Sequence, residues 1–188
     1  MKNLIDRNQQ REVSEFEEKV VQVNRVSKKT KGGNNIGFSV LMVVGDRKGR
    51  VGVGLGKAPD VLSAIKKGVR RAKKQLVRIS MKKTTIPFQM TYKYGAAKIL
   101  LKPAPAGTGV IAGGAVRVVV EAAGIRDIVS KILGSRNQAS NVYATFGALK
   151  MMRMIASEKG LVDSRPTEEK LVNGEMKMIK KSRKENNA

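Results

Sequence analysis

From Phe16 onward the chain reads in short alternations of apolar and polar residues, the period of half-buried strands, broken by glycine-bearing turns. Val21 and Val23 alternate with Gln22 and Asn24, which predicts a first strand. Ser27 to Asn35 is polar and basic and contains Gly32-Gly33, so it predicts the loop at a hairpin tip, where glycines supply unusual backbone angles. The return strand, Ile36 to Gly45, sets Phe38, Val40, Met42 and Val44 on one face. Gly45-Asp46-Arg47-Lys48-Gly49 predicts a turn, and Arg50 to Lys57 a third strand. In that strand Val51, Val53 and Leu55 alternate with Gly52, Gly54 and Gly56, so one face carries side chains and the other only hydrogens. A bare face admits close backbone approach; a packed helix and an RNA strand both satisfy it.

The period then changes to that of a helix. Ala58-Pro59-Asp60 supplies a proline for the first turn and an acid for the positive end of the dipole. Leu62, Ile65, Val69, Ala72 and Leu76 recur at three- and four-residue spacing as a buried stripe. Lys66, Lys67, Arg70, Arg71, Lys73, Lys74 and Arg78 take the other side, with no acids four residues away to pair with. Residues 80–85 read as a linker. Beyond it Ile86, Phe88, Met90 and Tyr92 alternate along a strand, Tyr94-Gly95-Ala96 turns, and Lys98 to Lys102 returns. After a Pro/Gly-rich run, an apolar helix is predicted over about Ala115–Ala123, a strand over Ile125–Leu133, and a helix over about Gln138–Ala156 with Val142, Phe146, Leu149 and Met152 inward. The fold class is therefore α+β: residues 16–79 as a three-stranded sheet with a helix, residues 86–157 as a sheet with two helices. A polar arm, 1–15, and a polar tail, 158–188, flank them, the tail expected to be disordered when the chain is alone.

Charge sharpens this picture. Residues 19–157 hold 27 of the 38 Lys and Arg but only four acids, Asp46, Asp60, Glu121 and Asp127, so this stretch carries the whole formal charge of +23. A compact body so basic repels itself and is relieved by a dense polyanion, which makes nucleic acid the first partner to consider. With four Phe, three Tyr and no Trp, base stacking is poorly supplied, and recognition of phosphates and the shape of folded RNA fits better. The chain has no Cys and no His, which excludes disulfides, thiolate metal sites and the commonest general base, and its few acids in the basic body are scattered, so catalysis has little support and no cofactor is expected. No apolar run approaches the roughly 20 residues of a membrane helix. Met1 to Arg11 lacks the apolar centre of a signal peptide, and a cytoplasmic location is expected.

Two segments carry candidate chemistry. Arg25, Lys28, Lys29 and Lys31 cluster at the hairpin tip. Gly107-Thr108-Gly109-Val110-Ile111-Ala112-Gly113-Gly114 precedes a helix, where backbone N–H groups can face a phosphate. It lacks the Gly-Lys-Ser/Thr ending of a P-loop. It partly fits a dinucleotide fingerprint, with Gly107, Gly109 and Ala112 in place and Asp127 twenty residues after Gly107, but Pro103 and Pro105 stand where a strand should run into the first glycine. A nucleotide-binding enzyme, a structural tight turn, and a contact with RNA or a protein neighbour remain the readings of this loop, and a generic double-stranded-RNA binder remains a further reading of the whole chain.

The motifs Val23-Asn24-Arg25-Val26-Ser27, Lys31-Gly32-Gly33, Val43-Val44-Gly45-Asp46, Gly49-Arg50-Val51-Gly52, Gly56-Lys57-Ala58, Gly107 to Gly114 and Gly134-Ser135-Arg136-Asn137, in this order, resemble the bacterial-type ribosomal protein S5 family from about Phe16 to Met152. The resemblance implies a first unit like a double-stranded-RNA-binding domain without its first helix, and a second unit with the fold named for the family. It implies that Arg25 to Asn34 reaches small-subunit ribosomal RNA, and that Gly109 and Arg117 lie at a contact with ribosomal protein S4, with S8 the other protein neighbour. It further implies roles in subunit assembly, decoding accuracy and the channel where messenger RNA enters. Together these readings give Arg25, Ser27, Lys28, Lys29, Lys31, Gly32, Gly33, Asn34, Arg50, Gly52, Gly54, Gly56, Lys57, Lys66, Lys67, Arg70, Ser135, Arg136 and Asn137 as expected RNA contacts, and Gly107, Thr108, Gly109, Gly113, Gly114 and Arg117 as contacts with RNA or protein. Departures from the family's common pattern are Asn34 in place of a basic residue, Val53 and Leu55 in place of aromatics, and Gln138 in place of a proline, which is expected to loosen the start of the last helix.

Overall fold

A computed structural model describes residues 16–158; the arm 1–15 and the tail beyond Glu158 lie outside the described residues. Four antiparallel strands form the first sheet in the order β1 (Glu17–Thr30), β2 (Gly33–Gly45), β3 (Arg50–Ala58), β4 (Val77–Arg78), the last a short edge that the sequence pattern did not reveal. Helix α1 (Val61–Lys74) connects β3 to β4. The expected tip loop is mostly strand: Lys28 pairs with Asn35, Lys29 with Asn34 and Thr30 with Gly33, leaving only Lys31-Gly32 to turn. The Thr30 hydroxyl donates to the Gly33 carbonyl at 2.9 Å, and Gly33 takes a φ of +132° that side chains disfavour. A bulge between Val20 and Gln22 splits the first apolar pair. Val21 packs into the main core, whereas Val23, opposite Val40, stays 45% exposed.

Both faces of β2 and β3 are buried. Val40, Met42 and Ala58 face α1, while Leu41, Val43, Val51 and Val53 face the second half of the chain. The expected α1 stripe shifts accordingly: Leu62 is 68% exposed, and the buried positions are Ala64, Gly68 and Ala72. A Cβ at Gly52, Gly54 or Gly56 would collide with the carbonyl oxygens of Ala72, Gly68 and Ala64 respectively. The bare strand face is therefore the seat of a small-residue helix, and Gly52, Gly54 and Gly56 lie buried beneath it. Asp60 caps α1, its carboxylate accepting from the Ser63 N–H at 3.1 Å.

The second sheet runs β5 (Met90–Tyr94), β6 (Ala97–Pro103), β8 (Ile128–Ile132), β7 (Val110–Ile111). Strand β7 is parallel to β8 and is joined to it through helix α2 (Gly114–Ala123); helix α3 (Gln138–Glu158) follows. The strand expected from Ile125 begins three residues later, because Gly124 ends α2 at φ +88° and the Arg126 and Asp127 N–H groups donate to the Thr84 carbonyl at 2.9 and 3.1 Å. Residues 80–85 are packed: Ser80 and Met81 are buried, and Lys82 and Thr85 exchange backbone hydrogen bonds of 2.8 and 3.2 Å. Ile86, fully buried, sits ahead of β5.

Helices α2 and α3 touch both sheets, giving the layers α1, first sheet, α2 with α3, second sheet. One core runs through the middle, from Val43 and Val51 to Val116, Val119, Ile99 and Leu149. The β2–β3 turn docks on the end of α2, where the Arg47 and Gly49 N–H groups donate to the Ala122 and Ala123 carbonyls at 3.1 and 3.0 Å. Those carbonyls are among the orphans of a helix C-terminus, here satisfied by the other half of the chain.

Candidate nucleic-acid interface

Beyond Phe38 the β1–β2 pair leaves the body as a ribbon whose tip residues Arg25, Ser27, Lys28, Lys29, Lys31, Gly32, Gly33 and Asn34 are all exposed. Strand alternation and the register place Arg25, Ser27, Lys29, Asn34 and Ile36 on the α1 side and Val26, Lys28 and Asn35 on the other, so cations line both faces. At the ribbon's base, Val26, Ser27, Lys28, Phe38, Lys57 and Pro59 line a hollow of about 350 Å³. Beside α1 lies a groove of about 560 Å³ with Ile65 and Val69 as apolar wall and Lys66, Arg70, Lys73 and Lys74 as rim. Lys67 is exposed on the same helix.

The carboxylates explain which cations are free. Glu17 holds Arg47 at 2.6 Å, Glu18 holds Lys73 at 2.9 Å, and Glu121 takes both Lys19 at 3.0 Å and Arg117 at 2.7 Å. Hydrogen bonds from Arg47 hold Glu17 below the usual carboxylate range, and those from Arg117 and Lys19 do the same for Glu121. At Asp46 burial pushes upward, but the Arg50 guanidinium at 2.7 Å and the Lys48 and Arg50 N–H groups at 2.8 Å outweigh it, and the net shift is downward. Arg50 also lies 5.2 Å from the centre of the Phe16 ring. Arg50 thus closes the β2–β3 turn, at the end of β3 opposite Lys57. By contrast, Lys28, Lys29, Lys31, Lys57, Lys66, Lys67 and Arg70 make no ion pair with a described residue.

The glycine-rich loop is closed from within. Asp127, 4% exposed, accepts from the N–H groups of Gly107 and Gly109 through one oxygen, at 3.0 Å each. A hydrogen bond from the Thr84 side chain and then these backbone donors hold its carboxyl below the usual range. The amides a phosphate would need are thus already occupied by a carboxylate, so the fingerprint spacing has a structural cause. Thr108 is exposed, its hydroxyl donating to the Pro105 carbonyl at 2.9 Å. Gly113, the residue before α2, is pressed on Ile132, while Gly114 has open space around it and Arg117 is exposed one turn on.

Ser135 and Asn137 act locally. The Ser135 hydroxyl accepts from the Asn137 N–H at 3.2 Å, Asn137 accepts from the Ala139 N–H at 3.0 Å, and the Asn141 side chain donates to the Ser135 carbonyl at 3.0 Å. The start of α3 is therefore capped without the family's proline, and Arg136 alone of the three projects free into solvent. No cluster of acids that could hold a metal exists among the described residues.

A two-unit α+β body whose carboxylates are paired and whose ribbon and helix carry unpaired cations defines a class: basic proteins that sit against a polyanion. Residues 16–80 match the family model of ribosomal protein S5, N-terminal domain, and residues 92–159 that of ribosomal protein S5, C-terminal domain. The chain is 50% identical over 157 residues to the small ribosomal subunit protein uS5 of Chloroflexus aurantiacus, spanning 84% of this chain and 88% of that one. It is 50% identical over 152 residues to the protein of the same name from Gloeobacter violaceus, spanning 79% and 68%, and 50% over 139 residues to that from Dehalococcoides mccartyi, spanning 74% and 81%. The chain belongs to the ribosomal protein S5 family.

Proposed function

We propose that this chain is a non-catalytic component of the small ribosomal subunit that binds ribosomal RNA through its ribbon tip, with Lys57 at the ribbon's base and Lys66, Lys67 and Arg70 of α1 extending the surface. The observation that carries the reading is the sorting of charge: Glu17, Glu18, Asp46 and Glu121 hold cations, Asp60 and Asp127 hold backbone N–H groups, and the ribbon and α1 cations are left for an external anion. Arg136 adds a cation on the second unit. Gly114 and Arg117, exposed at the start of α2, suit a protein neighbour, which in this family is S4; S8 is the second protein partner. In that setting the protein supports subunit assembly and decoding accuracy and borders the channel where messenger RNA enters, within cytoplasmic ribosomes.

The test is binding to a small-subunit ribosomal RNA transcript as a function of salt. Changing Lys28, Lys29 and Lys31 together to Ala lowers the slope of log K against log salt by about 0.9 for each phosphate no longer neutralised. An unchanged slope removes the ribbon from the RNA interface. Sedimentation of the tagged protein with small subunits through a high-salt wash tests the particle itself, and protein left at the top of the gradient overturns the ribosomal reading.

A further inference from the structure

Among the described residues no helix packs on the outer face of the second sheet, and the composition of that face is unusual. The inner positions, Met90, Tyr92, Ile99, Leu101, Ile128 and Val110, pack toward α2 and α3. Alternation therefore turns Thr91 and Lys93 of β5, Lys98, Leu100 and Lys102 of β6, Val129 and Lys131 of β8, and Ile111 of β7 outward, the apolar Leu100, Val129 and Ile111 lying among the lysines. Lys93 stands directly opposite Lys98; Lys131 stands opposite Leu100, diagonal to both Lys98 and Lys102. All four lysines are exposed, and none makes an ion pair or side-chain hydrogen bond with a described residue. No position that the register places on this face is acidic.

Like charges directly across a strand pair destabilise a sheet, and an open antiparallel face ordinarily mixes both signs. Four unopposed lysines on one face are relieved by an anion as densely charged as they are. Lys98 and Lys102 lie about 13 Å apart along one strand, at about 3.3 Å per residue. A spacing of that order lets the lysines meet more than one phosphate of a nucleic-acid strand. The face holds no aromatic side chain for base stacking, so contact through phosphates fits it best.

The layer order places this face on the opposite side of the molecule from α1. We propose that the outer face of the β5–β6–β8–β7 sheet is a second RNA-binding surface, so that the protein holds two RNA segments apart, one on the ribbon and α1 and one on this face. The proposal rests on the RNA-binding reading above and adds a site to it.

The experiment uses the full chain and a small-subunit ribosomal RNA transcript. Ultraviolet crosslinking of the unaltered protein, read by mass spectrometry, is expected to yield RNA adducts in residues 91–102 and 129–131 as well as in 25–34. A variant with Lys93, Lys98, Lys102 and Lys131 changed to Ala is expected to reduce the salt slope by about 2 to 4, at about 0.9 per phosphate, while its arginine counterpart keeps the slope. Adducts confined to the ribbon and α1, with the slope of the alanine variant unchanged, overturn the proposal while leaving RNA binding intact. The same holds if the alanine variant binds RNA normally but no longer sediments with small subunits, since the face then meets a protein. If neither this variant nor the ribbon variant changes the slope, the RNA-binding reading itself fails.

Discussion

Asp127 shows how one side chain can match a motif's spacing for an unrelated reason. Its distance from Gly107 fits a dinucleotide fingerprint; the fold uses it to tie two loop amides to the start of β8. Its folded pKa is depressed, so the stability it contributes is complete above the unfolded carboxylate value of about 4 and fades as pH falls through the lower folded value. Asp127→Ala is therefore expected to lower the urea midpoint at pH 7, with the gap from wild type closing as pH drops below 4; a pH series of unfolding curves checks it. The glycines separate as sharply. Gly54→Ala, which forces α1 off β3, is expected to cost about 1–3 kcal/mol as overpacking does, whereas Gly32→Ala, with nothing within 4 Å, stays within about 0.5 kcal/mol. Calorimetric melting of the pair decides it. Nothing in the sequence revealed that the bare face of β3 belonged to a helix, because a row of hydrogens accommodates any close neighbour.

At the scale of elements, the alternation and the helical period found β2, β3, α2 and α3 nearly at their observed limits, since each is rich in buried apolar residues bounded by turn signals. They failed where packing selects for smallness. In α1 the residues that read as a stripe, Leu62 above all, are the bulky ones, yet contact with Gly52, Gly54 and Gly56 favours Ala64, Gly68 and Ala72. The ribbon tip read as loop because a polar strand with no core contact has no apolar alternation to announce it. Its cations were legible; their freedom from carboxylates was not, as it depends on pairs such as Lys73 with Glu18, far apart in sequence. Two consequences belong to this scale. Asp60→Ala, which removes the α1 cap, is expected to lower stability by about 1 kcal/mol. The Lys28, Lys29 and Lys31 triple variant is expected to melt as wild type does, because those side chains touch no core; a shift of several degrees contradicts that.

In the whole molecule the two halves share one core, and the β2–β3 turn completes the end of α2. The sequence suggested two units joined by a linker, and nothing local could disclose that Leu41 and Val53 face the other half. Heat is expected to unfold the described body in a single calorimetric transition, and two resolved peaks would contradict a shared core. With no histidine, and with Glu17, Asp46, Glu121 and Asp127 held low, the chain is expected to keep a flat stability profile from about pH 5.5 to 8 and to weaken only on acidification. The open space at Gly32, in a chain without a single cysteine, has a practical side as well. Gly32→Cys places one thiol at the far end of the ribbon, where a fluorophore or spin label attaches with no competing site. The ribbon then becomes its own reporter: on the RNA-binding reading proposed above, the label's motion is expected to damp when the tip is bound.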